Sequence, residues 1–183
     1  MRLFAAIPLQ PPALGPALAT LRRLEGEPWP VRWVREAGLH LTLKFFGEVA
    51  ADRLDTIAEM VGFALEGVAP MPLRVMGVGV FPSVRRPRVI RLEVSAGPEL
   101  ELLQDRIERG GERIGFPPEG RPFRPHVTMG RVKEGQRLPP EAAEILEGIA
   151  TQPEFLADRV VLYESELGVG GPLYHPRSAF LLS

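Results

Sequence analysis

Apolar residues recur at helical spacing in four stretches of the chain, with polar residues between them. The first stretch has leucines at positions 14, 18, 21 and 24, and the last begins with two prolines and a glutamate, which suit the first turn of a helix. We therefore predict four amphipathic helices, each with one face against a core. They span residues 12–24, 51–68, 98–114 and 139–149.

Short runs rich in β-branched and aromatic residues lie between these helices and predict strands. Many of the connections are Gly/Pro turns, which are too short for the crossovers that parallel strands require. Antiparallel pairing should therefore dominate, and the predicted fold class is α+β. The predicted strands span residues 2–8, 41–46, 73–81, 89–94, 126–132, 159–167 and 178–182.

One short motif, His-x-Thr, occurs once in each half of the chain. His40 and Thr42 form the first copy, and His126 and Thr128 form the second, nearly half a chain length later. An internal duplication would produce this spacing. We therefore predict a single bilobal domain over residues 1–183, with one motif in each lobe.

Side chains at positions i and i+2 of a strand point to the same side of a sheet. Each motif strand therefore presents an imidazole and a hydroxyl to one side and apolar side chains to the other, as Leu41 does between His40 and Thr42. By the same parity, Phe46 should border the imidazole side, where it could contact RNA, and Phe45 should pack inward. The two motifs are thus expected to face a cleft.

Paired histidines suit the two proton transfers of a hydrolysis because their ordinary pKa lies near neutrality. Opening a cyclic phosphate with water requires a base to activate the water and an acid to protonate the departing sugar oxygen. His40 and His126 can supply these two functions from opposite sides of the phosphate. The side chains of Thr42, Thr128 and Arg131 can stabilise charge on the non-bridging oxygens. This chemistry needs no metal ion.

The net charge of −1 gives the surface as a whole no attraction for nucleic acid, so any RNA contact must be local. Two arginine clusters could make such contacts, although solvated surface charge explains the first equally well. They are Arg85, Arg86, Arg88 and Arg91 near Phe81, and Arg121, Arg124 and Arg131 around the second motif. Trp33 either stacks on a base or packs as a buried aromatic residue.

The chain has no cysteine, which excludes disulfides, thiol catalysis and cysteine-ligated zinc. Zinc bound by the three histidines is conceivable, but no two of them are spaced for one helix face, and His175 is expected in an exposed loop. We therefore expect no metal and no cofactor. No apolar run is long enough to span a membrane and no signal peptide is recognisable, so the expected location is cytoplasmic.

The paired His-x-Thr-x motifs resemble those of the two-histidine phosphoesterase superfamily. The flanking segments are similar to its LigT-like branch, the RNA 2′,3′-cyclic phosphodiesterases that are also called 2′-5′ RNA ligases. The similar segments cover residues 2–8, 31–34, 40–48, 81–82, 87–89, 123–131 and 165–167. One departure is Ile90-Arg91, where the family often has an aromatic residue.

This resemblance implies two pseudo-symmetric lobes, each an antiparallel sheet backed by helices, around a central active-site cleft. It implies that His40 and His126 are catalytic and that Thr42, Thr128 and Arg131 bind phosphate. The implied reaction is metal-independent hydrolysis of an RNA 2′,3′-cyclic phosphate to a 2′-phosphate. His126 would activate water and His40 would protonate the 3′ oxygen, with the reverse assignment also open.

The implied partner is RNA with a 2′,3′-cyclic phosphate end, tRNA fragments among the candidates, with no membrane involved. The resemblance also implies 2′-5′ RNA ligation as a reverse activity, and we expect a monomer. Two alternatives remain. The same chemistry could act on a small cyclic nucleotide or an ADP-ribose cyclic phosphate, or the chain could be a non-catalytic module that binds RNA ends.

Overall fold

The computed structural model describes residues 1–150, 153–169 and 171–183. Within these residues the chain forms nine strands, four α-helices and two short 3₁₀ turns. The strands are β1 (Arg2–Pro8), β2 (Val31–Trp33), β3 (His40–Glu48), β4 (Met71–Ser83), β5 (Arg86–Ala96), β6 (His126–Val132), β7 (Phe155–Ala157), β8 (Arg159–Gly168) and β9 (Gly171–Leu181). The helices are α1 (Leu14–Glu25), α2 (Leu54–Ala64), α3 (Pro98–Arg113) and α4 (Ala142–Glu147).

The strands form an antiparallel sheet in the order β7-β4-β5-β6-β3-β1-β8-β9, with β2 also paired to β6. At its centre, β3 and β6 are joined by a single residue pair, Leu41 with Val127. We call β3, β1, β8 and β9 the first half-sheet, and β2, β6, β5, β4 and β7 the second half-sheet. Because the central connection is so short, the half-sheets can separate around it and leave a cleft. The predicted α+β class with antiparallel pairing is confirmed.

The core lies between the helices and the side of the sheet that carries Leu41 and Val127, both of which are fully buried. Helix α2 packs on α3, α3 packs on β3, and α4 packs on β4. Burying one such leucine or valine contributes about 1.5–3 kcal/mol, so this apolar face holds both motif strands in place. The predicted alternation therefore holds within each motif, with the imidazoles and hydroxyls on the other side.

The four helices and seven predicted strands form where the periodicity places them, with shifted ends. Strands β2 and β7 were not predicted, because three residues are too few to show a period. Strand β9 begins at Gly171, so His175 lies on a strand and the expectation of a loop there is wrong. Pro176 is compatible with this strand, because β9 pairs only with β8 among the described residues and an edge strand tolerates proline.

No helix in the described parts of the chain is both long enough and apolar enough to cross a bilayer.

Candidate active site

A cavity of about 880 Å³ opens between the two half-sheets. Both motifs line it, with His40 and Thr42 on β3 and His126 and Thr128 on β6. Because β3 and β6 run antiparallel on either side of their one residue pair, an approximate twofold axis relates the two motifs. The structure thus brings together the four residues that the sequence singled out.

The first motif strand contains a bulge just after its threonine. Thr42 pairs with Ala6 of β1, but the next pair is Lys44 with Ala5, so Leu43 is an extra residue on β3. Such an extra residue reverses the alternation of side chains beyond it.

The second motif strand repeats this bulge at the equivalent position. Thr128 pairs with Arg91 of β5, and the next pair is Gly130 with Ile90, so Met129 is the extra residue. The residue five positions after each histidine therefore shares the cavity face with that histidine in both strands.

In β6 this residue is Arg131, which lines the cavity. In β3 it is Phe45, which is 63% exposed, whereas Phe46 is buried in a T-shaped contact with Phe116 at 5.3 Å between ring centroids. The expectation that Phe46 borders the site and Phe45 packs inward is therefore wrong. Strand parity cannot reveal a bulge, because a bulge depends on the partner strand.

His126 has a fixed tautomer. Its Nδ1 lies 2.8 Å from the carbonyl oxygen of Arg124, which can only accept, so Nδ1 carries the hydrogen and Nε2 of the neutral ring keeps its lone pair. Burial lowers the pKa of His126, and the Arg124 carbonyl opposes this effect. Arg91 and Arg131 lower this pKa further, while Glu93 raises it. A neutral ring with a free Nε2 can act as a base.

His40 lies in an aromatic cage. Its ring centroid is 4.9 Å from that of Phe4, 5.1 Å from Tyr174 and 5.7 Å from Tyr163. Burial lowers the pKa of His40 to about 4, and the carbonyl of Ala37 offsets only part of this effect. No acceptor meets full hydrogen-bond geometry at its buried Nδ1 in the described residues, although the Ala37 carbonyl interacts with the ring. An anion bound nearby would favour the protonated form of His40.

Charged groups on the cavity wall are mostly cationic, although the net charge of the chain is −1. The cations are Arg2, Arg35, Lys44, Arg91, Arg121, Arg124 and Arg131. Among the residues that the structure describes, the wall has two acidic side chains, Glu108 and Glu119. This local excess of positive charge suits an anionic ligand.

Arg91 is the one buried arginine of this wall. Its guanidinium lies over the ring of Phe81, 4.9 Å from the centroid, and its Nε donates to a carboxylate oxygen of Glu93 at 2.8 Å. These contacts hold the side chain beside Thr128, its partner across the sheet. The sequence placed Arg91 in a basic cluster, but only the register of β5 on β6 brings it to the motif.

Lys44 was missed by the sequence interpretation. It is buried, pairs with the carboxylate of Glu108 at 2.6 Å and donates to the carbonyl of Pro117 at 3.1 Å. The same carboxylate accepts a hydrogen bond from the backbone N–H of Glu119 at 3.2 Å. This network fastens the loop that precedes β6 to α3 and β3, and that loop forms part of the cavity wall.

Three arginines of the first predicted cluster do not reach the cavity wall. Arg85 is exposed at the turn between β4 and β5, and Arg86 and Arg88 are exposed at the start of β5. That hairpin instead contributes Phe81 and Arg91 to the wall. It stays a prediction that these three exposed arginines contact RNA, at nucleotides that extend beyond the cleft.

Two other predicted RNA contacts do line the cavity. Arg124 is exposed in the loop just before β6, and Trp33 is half-buried on β2. The ring of Trp33 packs 6.3 Å from that of Trp29 and lies close to the backbone of Gly130. Trp33 is thus partly packed and partly open to the cavity. This placement lies between the two alternatives that the sequence left, which were stacking on a base and packing as a buried aromatic residue.

His175 lies outside the cavity wall. It is exposed on β9, with Nε2 3.3 Å from a carboxylate oxygen of Glu166. Across residues 1–150, 153–169 and 171–183, no three histidine, aspartate or glutamate side chains are grouped to hold a metal ion.

The fold and the cavity define an α+β protein with two half-sheets around one cationic cleft and a His-x-Thr strand on each side. The model of the 2′-5′ RNA ligase superfamily matches residues 10–168. The chain belongs to the 2′-5′ RNA ligase superfamily.

Similar proteins include the RNA 2′,3′-cyclic phosphodiesterase of Methanothermobacter thermautotrophicus, 36% identical over 154 residues that cover 83% of each chain. The RNA 2′,3′-cyclic phosphodiesterase of Thermotoga maritima is 33% identical over 175 residues, 95% of this chain and 91% of that one. Among solved structures, E. coli LigT complexed with 3′-AMP has a TM-score of 0.78 and 25% identity, covering 100% of this chain and 98% of that one. The LigT-like resemblance is confirmed.

Proposed function

We propose that this protein hydrolyses the 2′,3′-cyclic phosphate end of RNA to a 2′-phosphate, using His40 and His126 as an acid–base pair without a metal ion. One observation carries the proposal: two antiparallel strands present both His-x-Thr motifs to one cationic cavity. Relatives named RNA 2′,3′-cyclic phosphodiesterase support the substrate. Ends of tRNA fragments are among the RNAs that would qualify.

In the proposed reaction, Nε2 of His126 accepts a proton from water while the water oxygen bonds to phosphorus. The bond from phosphorus to O3′ breaks, and His40 gives its proton to O3′. The charge therefore moves from one imidazole to the other, and the phosphate stays on O2′. The fixed tautomer of His126 supports its role as the base.

The general acid of this reaction must be protonated, yet the aromatic cage holds the pKa of His40 at about 4. The substrate supplies a counter-charge, because a cyclic phosphate is an anion and favours the imidazolium form beside it. Binding would thus raise the pKa of His40 toward the working range. The cage would in this way couple protonation of the acid to occupancy of the cleft.

Donors for the non-bridging oxygens complete the proposed site. Thr42, Thr128 and Arg131 take this role, which stabilises the charge that builds up during attack. We add Arg91, because it is the strand partner of Thr128 and its terminal nitrogens make no hydrogen bond to the described residues. Hydrogen bonds from a guanidinium to a phosphate are charge-assisted and therefore strong.

Ligation belongs to the same proposal as the reverse of 2′-5′ linkage cleavage, in which another nucleophile opens the same cyclic phosphate. If a 5′-hydroxyl replaces water, the same base and acid join it to the phosphate through a 2′-5′ linkage and release O3′. We also propose a monomeric, cytoplasmic enzyme that arose by duplication within residues 1–183. The repeated bulge after each threonine supports the duplication.

The decisive experiment compares wild type with His40→Ala, His126→Ala and the double variant on an oligoribonucleotide cyclic phosphate. Each single variant should lose roughly 10²–10⁴-fold in rate, and the double should lose less than the product of the two. His175→Ala, which removes the third histidine outside the cleft, should keep full activity. Phosphorus NMR should identify a 2′-phosphate.

Three outcomes would count against parts of this proposal. A single cleft variant with more than about half the wild-type rate would refute the two-histidine mechanism. Activity lost to EDTA and restored by zinc or magnesium would indicate a metallohydrolase. Faster turnover of an isolated cyclic mononucleotide than of the oligoribonucleotide would point to a small-molecule substrate.

A further inference from the structure

The position of Arg91 beside the second motif depends on a neighbouring carboxylate. The side chain of Arg91 is 10% exposed, and its Nε donates to Oε1 of Glu93 at 2.8 Å. The two residues are two positions apart on β5, so their side chains lie on the same face of the sheet. The register of β5 on β6 places Arg91 opposite Thr128 and Glu93 opposite His126. The Arg91–Glu93 pair therefore lies alongside both functional residues of the motif.

A glycine on the next strand leaves room for this carboxylate. Gly79 of β4 pairs with Arg91, and it is not among the glycines with a positive φ, so its backbone does not require glycine. A Cβ at Gly79 would lie 2.7 Å from Oε1 and 3.3 Å from Cγ of Glu93. Glycine within a strand often marks the close approach of another group. At this position the group is the side chain of Glu93.

A guanidinium next to a general base has two opposing effects. It can bind phosphate through charge-assisted hydrogen bonds, but its positive charge disfavours the imidazolium that forms when the base accepts a proton. Burial lowers the pKa of His126, Arg91 and Arg131 lower it further, and Glu93 raises it. The carboxylate of Glu93 thus offsets part of the effect of the arginine that it contacts.

Other ionisable groups also surround His126 on the cavity wall. They are Arg2 on β1, Arg35 after β2, His40 and Lys44 on β3, Glu108 on α3, Glu119, Arg121 and Arg124 before β6, Arg131 on β6 and Tyr174 on β9. Glu108 is paired with Lys44 at 2.6 Å, and Glu119 is exposed. Glu93 is the carboxylate that raises the pKa of His126. It does not itself line the cavity, so it reaches a ligand there through Arg91.

We propose that Glu93 is a positioning residue, whose carboxylate, seated beside Gly79, holds Arg91 toward the phosphate and balances the charge of this arginine beside His126. This inference rests on the proposed function and adds to it how a phosphate-binding guanidinium is accommodated next to the base. When His126 accepts the proton of water, the negative charge of Glu93 favours the imidazolium that forms.

Two substitutions separate the contact of Glu93 from its charge. Glu93→Gln keeps an oxygen that can accept from Nε of Arg91 but removes the charge, and Glu93→Ala removes both. On an oligoribonucleotide cyclic phosphate, Glu93→Ala should lower kcat/KM by about 10- to 100-fold, because a misplaced group in an active site costs up to about 10²-fold. Glu93→Gln should lose less. Gly79→Ala, which keeps the carboxylate but takes its space, should also lower kcat/KM, and full activity of this variant would overturn the seating of Glu93 beside Gly79.

A double-mutant cycle determines whether Glu93 acts through Arg91. In an Arg91→Gln background, Glu93→Ala should change kcat/KM by less than about threefold, because the group that it positions is gone. Equal losses from Glu93→Ala in both backgrounds would overturn the positioning role. The matched control is the exposed pair of Arg74 and Glu154, 3.5 Å apart and outside the cavity wall, where Glu154→Ala should leave kcat/KM unchanged.

Titration of the His126 ring by NMR provides a readout that needs no turnover. The midpoint should move to lower pH in Glu93→Gln and to higher pH in Arg91→Gln, because the first change removes a negative charge and the second removes a positive one. An unmoved midpoint in Glu93→Gln would overturn the charge balance.

Calorimetry with inorganic phosphate tests the hold of Glu93 on Arg91 in the same way. Glu93→Ala should weaken phosphate binding about tenfold or more, as expected when a hydrogen bond from a charged donor is lost, and unchanged binding would overturn the positioning role. Absence of turnover by wild type would instead count against the proposed hydrolysis. The titration and the phosphate binding would then still decide the role of Glu93.

Discussion

The aromatic cage around His40 should make the stability of the protein depend on pH. In the unfolded chain an ordinary histidine titrates near pH 6.5, whereas burial holds the pKa of His40 at about 4 in the folded protein. Between these values the unfolded state binds a proton that the folded state does not. His40 therefore contributes no penalty above pH 6.5, and stability falls as the pH drops toward 4.

The size of this effect follows from the pKa difference. Each pH unit between the two pKa values is worth about 1.4 kcal/mol, so at pH 4.5 the penalty is about 2–3 kcal/mol. Replacement of His40 by phenylalanine removes the penalty and keeps a ring in the cage. The contact with the Ala37 carbonyl is lost, but no acceptor meets full hydrogen-bond geometry at Nδ1 in the described residues.

Urea unfolding of wild type and His40→Phe at pH 7 and pH 4.5 measures this difference. Between the two pH values, wild type should lose about 2–3 kcal/mol more than the variant. His175→Phe controls for loss of an exposed histidine. Equal pH dependence of wild type and His40→Phe would mean that the cage does not keep the ring neutral, and the substrate-coupled protonation that we propose would lose its basis.

Three further predictions concern the rate profile, the buried ion pair and the outer arginines. The kcat/KM value should peak below pH 7, because both cleft histidines have lowered pKa values in the free protein. The kcat value should peak at a higher pH, because bound phosphate opposes this lowering of the pKa. A profile that is flat from about pH 5 to 9 would contradict both expectations. Lys44→Met should lower the free energy of unfolding in urea by about 3–5 kcal/mol, because it leaves the Glu108 carboxylate buried without its cation. The double variant with Glu108→Leu should recover most of this stability, and a single variant as stable as wild type would contradict the prediction. Joint replacement of Arg85, Arg86 and Arg88 by alanine should raise KM for an oligoribonucleotide but leave mononucleotide turnover unchanged. The slope of log binding constant against log salt concentration should become shallower by about 0.7 per lost phosphate contact, and an unchanged slope would mean that these arginines are plain surface charge.

Local patterns in the sequence predicted the elements and the motif strands. The spacing of apolar residues determines which face of each helix and strand packs against the core. For this reason Leu41 and Val127 lie in the core and the imidazoles lie on the other side of the sheet. The repeated motif predicted that His40 and His126 share one site, and the structure places both on the wall of one cavity.

The remaining parts of the site depend on pairing between distant segments, which no local pattern encodes. The cage of His40 combines Phe4 of β1, Tyr163 of β8 and Tyr174 of β9, and only the sheet order brings these rings together. The bulge that turns Phe45 toward the cavity depends in the same way on the register with β1. Period-two reasoning therefore succeeded up to the bulge and failed beyond it.

In the proposed mechanism, the two copies of the motif use one backbone pattern for two chemical roles. Two titratable groups in different environments have different pKa values, and an acid–base pair requires such a difference. The carbonyl of Arg124 fixes the hydrogen of His126 on Nδ1 and leaves Nε2 free to accept a proton. His40 lies among aromatic rings, and the carbonyl of Ala37 offsets only part of the lowering of its pKa by burial, so an anion in the cleft would favour its charged form. In the mechanism that we propose, the protein thus sets the neutral base and the substrate sets the charged acid, so that two histidines in equivalent positions take opposite roles.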